Sequence, residues 1–117
     1  MIRILLLTII LLPMQTSNKR VLAIYVKSGA NAKYQQQIEM LSEDKAGLAD
    51  RNVEIKTYTY SDATAALFKK NRITGDFIIT LTGKDGGEKH RSAQLITLKQ
   101  LYGIIDAMPM RKEEMKM

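Results

Sequence analysis

The sequence predicts a small α/β domain with a four-stranded mixed sheet flanked by helices. Its 117 residues are enough for one domain with a single modest core. Apolar residues make up 45 % of the chain, which argues against disorder. Segments typical of strands and helices follow one another in the order β-α-β-α-β-β-α, so parallel and antiparallel strands are expected in one sheet.

The N-terminal segment differs in composition from the rest of the chain. Arg3 provides a positive start, Ile4 to Leu12 form a nearly pure apolar run, and Pro13 and polar residues follow. This pattern is typical of a secretory signal peptide, and the run is shorter than the roughly 20 residues of a membrane span. The alternative is a buried first strand or helix. We predict a signal peptide over residues 1–17, followed by a periplasmic or extracellular domain over residues 18–117 without a transmembrane segment.

The first half of this domain has the pattern of a βαβ unit. Val21 to Val26 is an uninterrupted apolar run, typical of a central strand that is buried on both faces. After a polar loop, apolar residues at helical spacing predict one helix from about Ala32 to Asp50. Residues 53–60 begin with the alternation of a half-exposed strand. The crossover between the two strands is expected to be right-handed.

The second half contains a short helix followed by a β-hairpin. The helix is predicted through residues 65–68, and Phe77 to Leu81 is again typical of a buried strand. Gly83 to Gly87 predicts a tight turn, because Asp-Gly and Gly-Gly adopt positive φ easily. Glu88 to Ser92 returns as a short charged strand, which suits the edge of a sheet.

A capping box marks the start of the last predicted helix. Thr97 to Gln100 has the Thr-x-x-Gln pattern, in which each side chain bonds the backbone of the other residue. Pro109 is expected to end the helix, and Arg111 to Met117 is expected to be a charged tail that frays. Asp106 can pair with Arg111 and so hold the start of this tail.

A βαβ half followed by a ββα half is the minimal thioredoxin arrangement. The expected sheet order is second, first, third, fourth strand, with the third strand antiparallel to the first. The sequence therefore predicts a thioredoxin-like fold.

The turn and the C-terminal third carry a distinctive set of residues. The set comprises Leu81-Thr82-Gly83-Lys84-Asp85-Gly86-Gly87, Lys89, Arg91-Ser92, Asp106-Ala107-Met108-Pro109-Met110-Arg111 and Glu114-Met115. With it, the chain resembles the domain of unknown function 4174 (DUF4174) family over about residues 19–115. That family occurs in small exported bacterial proteins and in animal extracellular proteins with sushi repeats. The resemblance implies a thioredoxin-like, peroxiredoxin-related fold, and it implies no particular reaction.

The chain contains no cysteine, which excludes thiol–disulfide and peroxidatic chemistry by its own residues. The resemblance implies that the working cysteine of thioredoxins and peroxiredoxins would follow the first central strand, where Lys27 to Asn31 stand instead. Thr74-Gly75-Asp76 stand where a cis-proline normally precedes the third strand. We therefore expect a redox-inactive domain without a cofactor that acts as a binding or structural module.

The loop after the first strand is one candidate site, formed by Lys27, Ser28, Gly29 and Asn31. It follows the carboxyl end of a central strand, where open α/β sheets commonly bind ligands. Ser28 and the N–H groups of the next helix can hold an anion, and a non-thiol enzyme with its site here is an alternative function. The other interpretation is a simple helix cap by Ser28 or Asn31.

The hairpin is a second candidate site, because Lys84, Lys89, His90 and Arg91 form a small basic cluster. In a chain of net charge +6, this cluster can receive an acidic exported protein or an anionic matrix or envelope polymer. The other interpretation is a solvated hairpin with charges that guard a sheet edge. His90 and Ser92 alone do not make a hydrolytic triad. A nucleic-acid partner is not expected at this modest charge in an exported protein.

Methionines crowd the C-terminus, and Met108 and Met110 are the candidate metal ligands among them. Thioethers bind Cu(I), so methionine-based copper binding is a further alternative function. Methionine is also an adaptable packing residue in apolar cores. No cysteine or histidine lies in this segment to complete a copper site, and no other metal site is predicted.

Overall fold

The computed structural model describes residues 18–116, so the predicted signal peptide over residues 1–17 lies outside the described residues. Five helices and four strands are found in residues 18–116. They are β1 (Arg20–Val26), α1 (Ala32–Ser42), α2 (Lys45–Asp50), β2 (Val53–Thr59), α3 (Ala65–Lys70), β3 (Phe77–Thr82), β4 (Glu88–Ser92), α4 (Leu98–Asp106) and α5 (Pro109–Met115).

The four strands form one mixed sheet in the order β2-β1-β3-β4. β1 is parallel to β2 and antiparallel to β3, which in turn is antiparallel to β4. This confirms the predicted order and the predicted direction of the third strand. β1 lies inside the sheet because its apolar run is buried on both faces, as the sequence indicated.

The two faces of the sheet carry cores of different size. The larger core takes Leu22 and Ile24 from β1 together with buried residues of α1, α2 and α4. The smaller core on the opposite face contains Ala23, Tyr25 and Phe68, the last of which comes from α3. Tyr25 and Phe68 meet edge to face with ring centroids 5.4 Å apart. The helices are therefore distributed unequally, and most of them cover one face.

The single helix predicted over residues 32–50 is two helices, because the chain breaks after Ser42. Asp44 is the N-cap of α2, and its Oδ1 accepts a hydrogen bond of 2.9 Å from the backbone N–H of Gly47. Short acidic side chains compete with helix continuation in this way. The Tyr102 hydroxyl on α4 donates to Asp44 Oδ2 at 2.9 Å, which holds the break in place from a distant part of the chain.

The C-terminal segment also differs from the prediction. Pro109 follows the end of α4, but it also occupies the first turn of α5, where its missing N–H costs no helical hydrogen bond. The segment expected to fray from Arg111 is helical as far as Met115, and Arg111 itself is only 7 % exposed. Its guanidinium donates to Asp106 Oδ1 at 3.2 Å, as predicted, and to Asp50 Oδ2 at 2.7 Å. These bonds tie α5 to α4 and α2.

A fully buried glutamine joins α1 to the loop before α4. Gln37 Nε2 donates to the carbonyl oxygen of Ile96 at 2.9 Å, and Gln37 Oε1 accepts from the N–H of Ile96 at 2.8 Å. One side chain thus satisfies both backbone groups of a buried residue. The predicted capping box follows immediately, with both bonds between Thr97 and Gln100 present. The start of α4 is therefore held from α1 and by its own cap.

Candidate functional site

The loop between β1 and α1 uses its polar side chains locally. Asn31 Oδ1 accepts a hydrogen bond of 3.0 Å from the N–H of Tyr34 and is the N-cap of α1. Ser28 Oγ accepts from the N–H of Ala30 at 3.1 Å. Of the two predicted caps, Asn31 therefore serves α1, whereas Ser28 closes the turn within the loop.

An open cleft lies beside this loop and begins at Asn31. The carbonyl oxygen of Gly29 accepts a 2.7 Å bond from Gln35 Nε2, while Lys27 Nζ lies 3.8 Å from Asp76 Oδ1. Both members of this ion pair are more than half exposed, so it contributes little stability. The cleft has a volume of about 360 Å³ and is lined by Asn31, Ala32, Lys33, Thr74, Gly75, Asp76, Phe77 and Ala93. The polar groups of the loop between β1 and α1 thus form a helix cap and a solvated ion pair.

A β-bulge determines which face each side chain of β4 occupies. His90 is paired with Leu81, and Arg91 with Thr80, whereas the register shifts between Leu81 and Thr82. The extra residue in β4 is Lys89. Because Leu81 belongs to the larger core, His90 faces the side of the sheet that α4 covers. Arg91 faces the opposite side, where its Nη2 donates to the carbonyl oxygen of Asn71 at the end of α3.

The predicted hairpin cations Lys84, Lys89 and Arg91 pair with three different carboxylates. Lys89 Nζ lies 2.8 Å from Asp85 Oδ2, and Arg91 Nη2 lies 2.9 Å from Glu88 Oε1. The ammonium group of Lys84 lies against α5, and its side chain is only 12 % exposed. Lys84, Lys89 and Arg91 are therefore close in sequence, but a different carboxylate compensates each of their charges.

The partner of Lys84 is Glu114, which also binds a buried arginine. Glu114 Oε2 lies 2.7 Å from Lys84 Nζ and 3.1 Å from Arg20 Nη2. Burial raises the pKa of Glu114, but the hydrogen bonds and charges of Arg20 and Lys84 together outweigh it and lower the pKa to about 2. Glu114 is therefore ionised near neutral pH, and the three residues hold α5 on the sheet.

An open groove lies between β4 and α4. It has a volume of about 570 Å³ and is lined by His90, Ser92, Gln94, Leu95, Lys99, Gln100, Gly103 and Ile104. Leu95 and Ile104 are half-buried and pack against the larger core. Lys99 is exposed, and no carboxylate is present among these eight residues. The groove thus combines apolar surface with basic side chains.

His90 was expected in the hairpin cluster from the sequence, whereas Lys99 was missed. The sequence signal for this groove was Ile104, a second apolar residue next to Ile105 on α4. Ile105 is buried, whereas Ile104 stays half-buried and lines the groove. Gly103, four residues after Lys99, lies on the same side of the helix and adds no bulk to the groove. Only the position of β4 beside α4 turns these residues into one surface.

The two candidate copper ligands lie in different environments. Met108 is 9 % exposed and belongs to the larger core, whereas Met110 is 47 % exposed. Met108 therefore serves as a packing residue, the other interpretation weighed for it. Within residues 18–116, no group of three or more histidine, aspartate or glutamate side chains is placed to hold a metal ion.

Comparison with family models matches residues 11–114 to the domain of unknown function DUF4174. The chain belongs to the DUF4174 family. This confirms the resemblance based on the turn and the C-terminal third of the sequence. No significant match was found among the curated proteins.

Two solved structures are similar in fold to this DUF4174 domain. The reduced 2-Cys peroxiredoxin of Plasmodium vivax has a TM-score of 0.64 and 16 % identity, with coverage of 81 % of this chain and 80 % of that chain. A malarial protein has a TM-score of 0.62 and 12 % identity, with coverage of 76 % and 96 % respectively. At these identities the similarity concerns the fold alone, and it confirms the thioredoxin-like prediction. The DUF4174 domain has this fold without any cysteine.

None of the helices in residues 18–116 has the length and apolar character that a membrane crossing requires.

Proposed function

We propose that this DUF4174 domain is an exported binding module that receives acidic segments with an apolar centre in the groove between β4 and α4. The observation that carries the proposal is the pairing of apolar Leu95 and Ile104 with basic Lys99 in a groove without a lining carboxylate. The absence of cysteine and the local use of the Ser28 and Asn31 side chains favour binding over catalysis.

The two kinds of lining residue have different parts in this proposal. Apolar side chains of a partner gain about 25 cal/mol for each Å² removed from water, so Leu95 and Ile104 supply affinity. Lys99 supplies specificity by charge. It attracts apolar segments that have acidic flanking residues and repels segments that have basic ones. The net charge of +6 favours the approach of such acidic partners.

Binding is tested by titrating the isotope-labelled protein with a synthetic peptide that has leucine and phenylalanine at its centre and aspartate and glutamate on both sides. NMR is expected to detect saturable amide shifts at Leu95, Gly103 and Ile104. A peptide with lysine in place of the acidic residues is the control, and it is expected to leave these amides unchanged. If neither peptide shifts the groove residues, the proposal is wrong.

A charge reversal in the groove separates specific binding from general attraction. Lys99→Glu is expected to weaken binding of the acidic peptide about five-fold, which corresponds to about 1 kcal/mol for one rim charge. Lys70→Glu makes the same change in net charge on α3, on the other side of the sheet, and is expected to have a much smaller effect. Equal losses for both variants would mean that only the overall charge matters.

Export is the other part of the proposal and rests on the apolar run from Ile4 to Leu12 after Arg3. Cells that express the full chain are expected to hold a shortened protein outside the cytoplasm, and N-terminal sequencing locates the cut. A chain that lacks residues 2–17 is the control and is expected to stay inside. Retention of the full-length chain in the cytoplasm would contradict export.

A further inference from the structure

β2 is an edge strand of the sheet that residues 18–116 form. It lies at the end of the sheet and pairs with β1 alone among the described strands. Its residues are all half-buried or exposed. A free edge presents unpaired N–H and C=O groups that can bind another strand.

Two hydrogen bonds at the ends of β2 define which backbone groups are free. The N–H of Arg20 donates to the carbonyl oxygen of Asn52, and the N–H of Tyr60 donates to that of Val26, both at 2.8 Å. Backbone groups of a strand point alternately to its two sides, so the even-numbered residues between these bonds face β1. The outward groups belong to Val53, Ile55, Thr57 and Thr59.

We propose that two copies of this chain pair antiparallel through β2, about a two-fold axis at Ile55, to form one continuous sheet. In this register the outward groups of Ile55 bond those of Ile55 in the second copy, and Val53 bonds Thr57. Glu54 then lies opposite Lys56 in a non-hydrogen-bonded pair, where Cα atoms are about 4.5 Å apart and side chains are close. The two-fold axis produces this ion pair twice.

The charges of β2 select this register over its neighbours. A two-fold axis at Glu54 would place two glutamates opposite each other, and an axis at Lys56 would do the same with two lysines. Like charges directly opposite are destabilising, and opposite charges are stabilising. Only the axis at Ile55 aligns the charges of this strand favourably. The proposal thus rests on self-complementarity in addition to a free edge.

Apolar contacts also favour pairing of two β2 strands in this register. Val53 and Ile55 are partly buried and pack against the larger core. Pairing places Ile55 of one copy beside Ile55 of the other on this face, so their exposed apolar surface is removed from water. The opposite edge of the sheet lacks this complementarity, because a two-fold axis at His90 in β4 would oppose Lys89 and Arg91.

Charge reversal and restoration test the ion pairs. Sedimentation of the full chain over a range of concentrations is expected to detect a reversible dimer. Glu54→Lys and Lys56→Glu each oppose like charges and are expected to weaken the dimer about ten-fold or more. The double variant Glu54→Lys with Lys56→Glu restores opposite charges and is expected to recover most of the affinity. A dimer that is indifferent to these changes, or a chain that stays monomeric, overturns the proposal.

A cysteine cross-link tests the register independently, since the chain has no cysteine of its own. Ile55→Cys places two thiols across the axis with Cα atoms about 5.5 Å apart, within the range of a disulfide. Thr59→Cys is the control on the same edge, and its two copies would lie about 27 Å apart at about 3.4 Å per residue. Mild oxidation is expected to link Ile55→Cys alone. Equal linking of both variants, or of neither, overturns this register.

Discussion

Glu114→Gln is expected to lower the free energy of unfolding by about 3 to 5 kcal/mol, the usual effect of removing one partner from a buried ion pair. Glu114 binds Arg20, which is fully buried, and Lys84, which is 12 % exposed. The neutral amide leaves both cations without a compensating charge, so the folded state pays for their burial without the ionic contacts. Urea denaturation followed by circular dichroism measures the change.

The neighbouring residue provides a matched control. Glu113 is 73 % exposed, and its ion-pair partner within residues 18–116 is Lys116, which is 72 % exposed. Glu113→Gln makes the same chemical change in the same helix and is expected to shift stability by no more than about 0.5 kcal/mol. If the two variants are equally stable, the ion network does not hold α5.

The same pair of proteins tests the acid dependence of this network. The pKa of Glu114 is about 2 in the folded chain, against an ordinary value of 4.5. A lowered pKa means that the unfolded chain binds a proton more readily, so the stabilisation is present above about pH 5 and is lost as the pH falls towards 2. The difference in stability between the wild type and Glu114→Gln is therefore expected to shrink in acid. A constant difference would contradict the assigned pKa.

Gln37→Leu is expected to lower the free energy of unfolding by about 2 to 4 kcal/mol. The replacement is similar in size and apolar, but it removes both hydrogen bonds to the buried backbone of Ile96. Each buried polar group left without a partner costs about 1 to 3 kcal/mol. The shift in the urea midpoint at constant slope measures the loss.

An adjacent glutamine separates this effect from a general effect on α1. Gln36 is exposed, so Gln36→Leu changes the same residue type without affecting a buried bond. Its expected effect is within about 0.5 kcal/mol. Comparable losses in both variants would mean that Gln37 acts through helix propensity and not through Ile96.

The predictions that held depend on contacts between residues close in sequence. The uninterrupted apolar run of β1, the turn at Gly83 to Gly87 and the capping box at Thr97 were each visible in a few consecutive residues. Together they were sufficient for the sheet order, because right-handed βαβ crossovers and hairpins leave few alternatives. The absence of a thiol site required only the composition.

The predictions that failed involve partners far apart in the chain. Asp44 caps the start of α2 and is bound there by Tyr102, and α5 forms against Arg20, which is separated from Glu114 by 94 residues. A charged C-terminal segment has the composition of a fraying tail when these partners are unknown. Local patterns contain no information about which distant charge will compensate a buried one.

For the candidate sites too, some features follow from the sequence and others from contacts between distant residues. The sequence by itself determined that this is a thioredoxin-like domain without cysteine, since strand burial and cysteine content are local or compositional properties. The tertiary structure decided that Lys84 supports α5 and that Lys99 lines a groove beside β4. The physical reason is that a binding surface depends on the geometry between elements, which packing of the whole chain establishes.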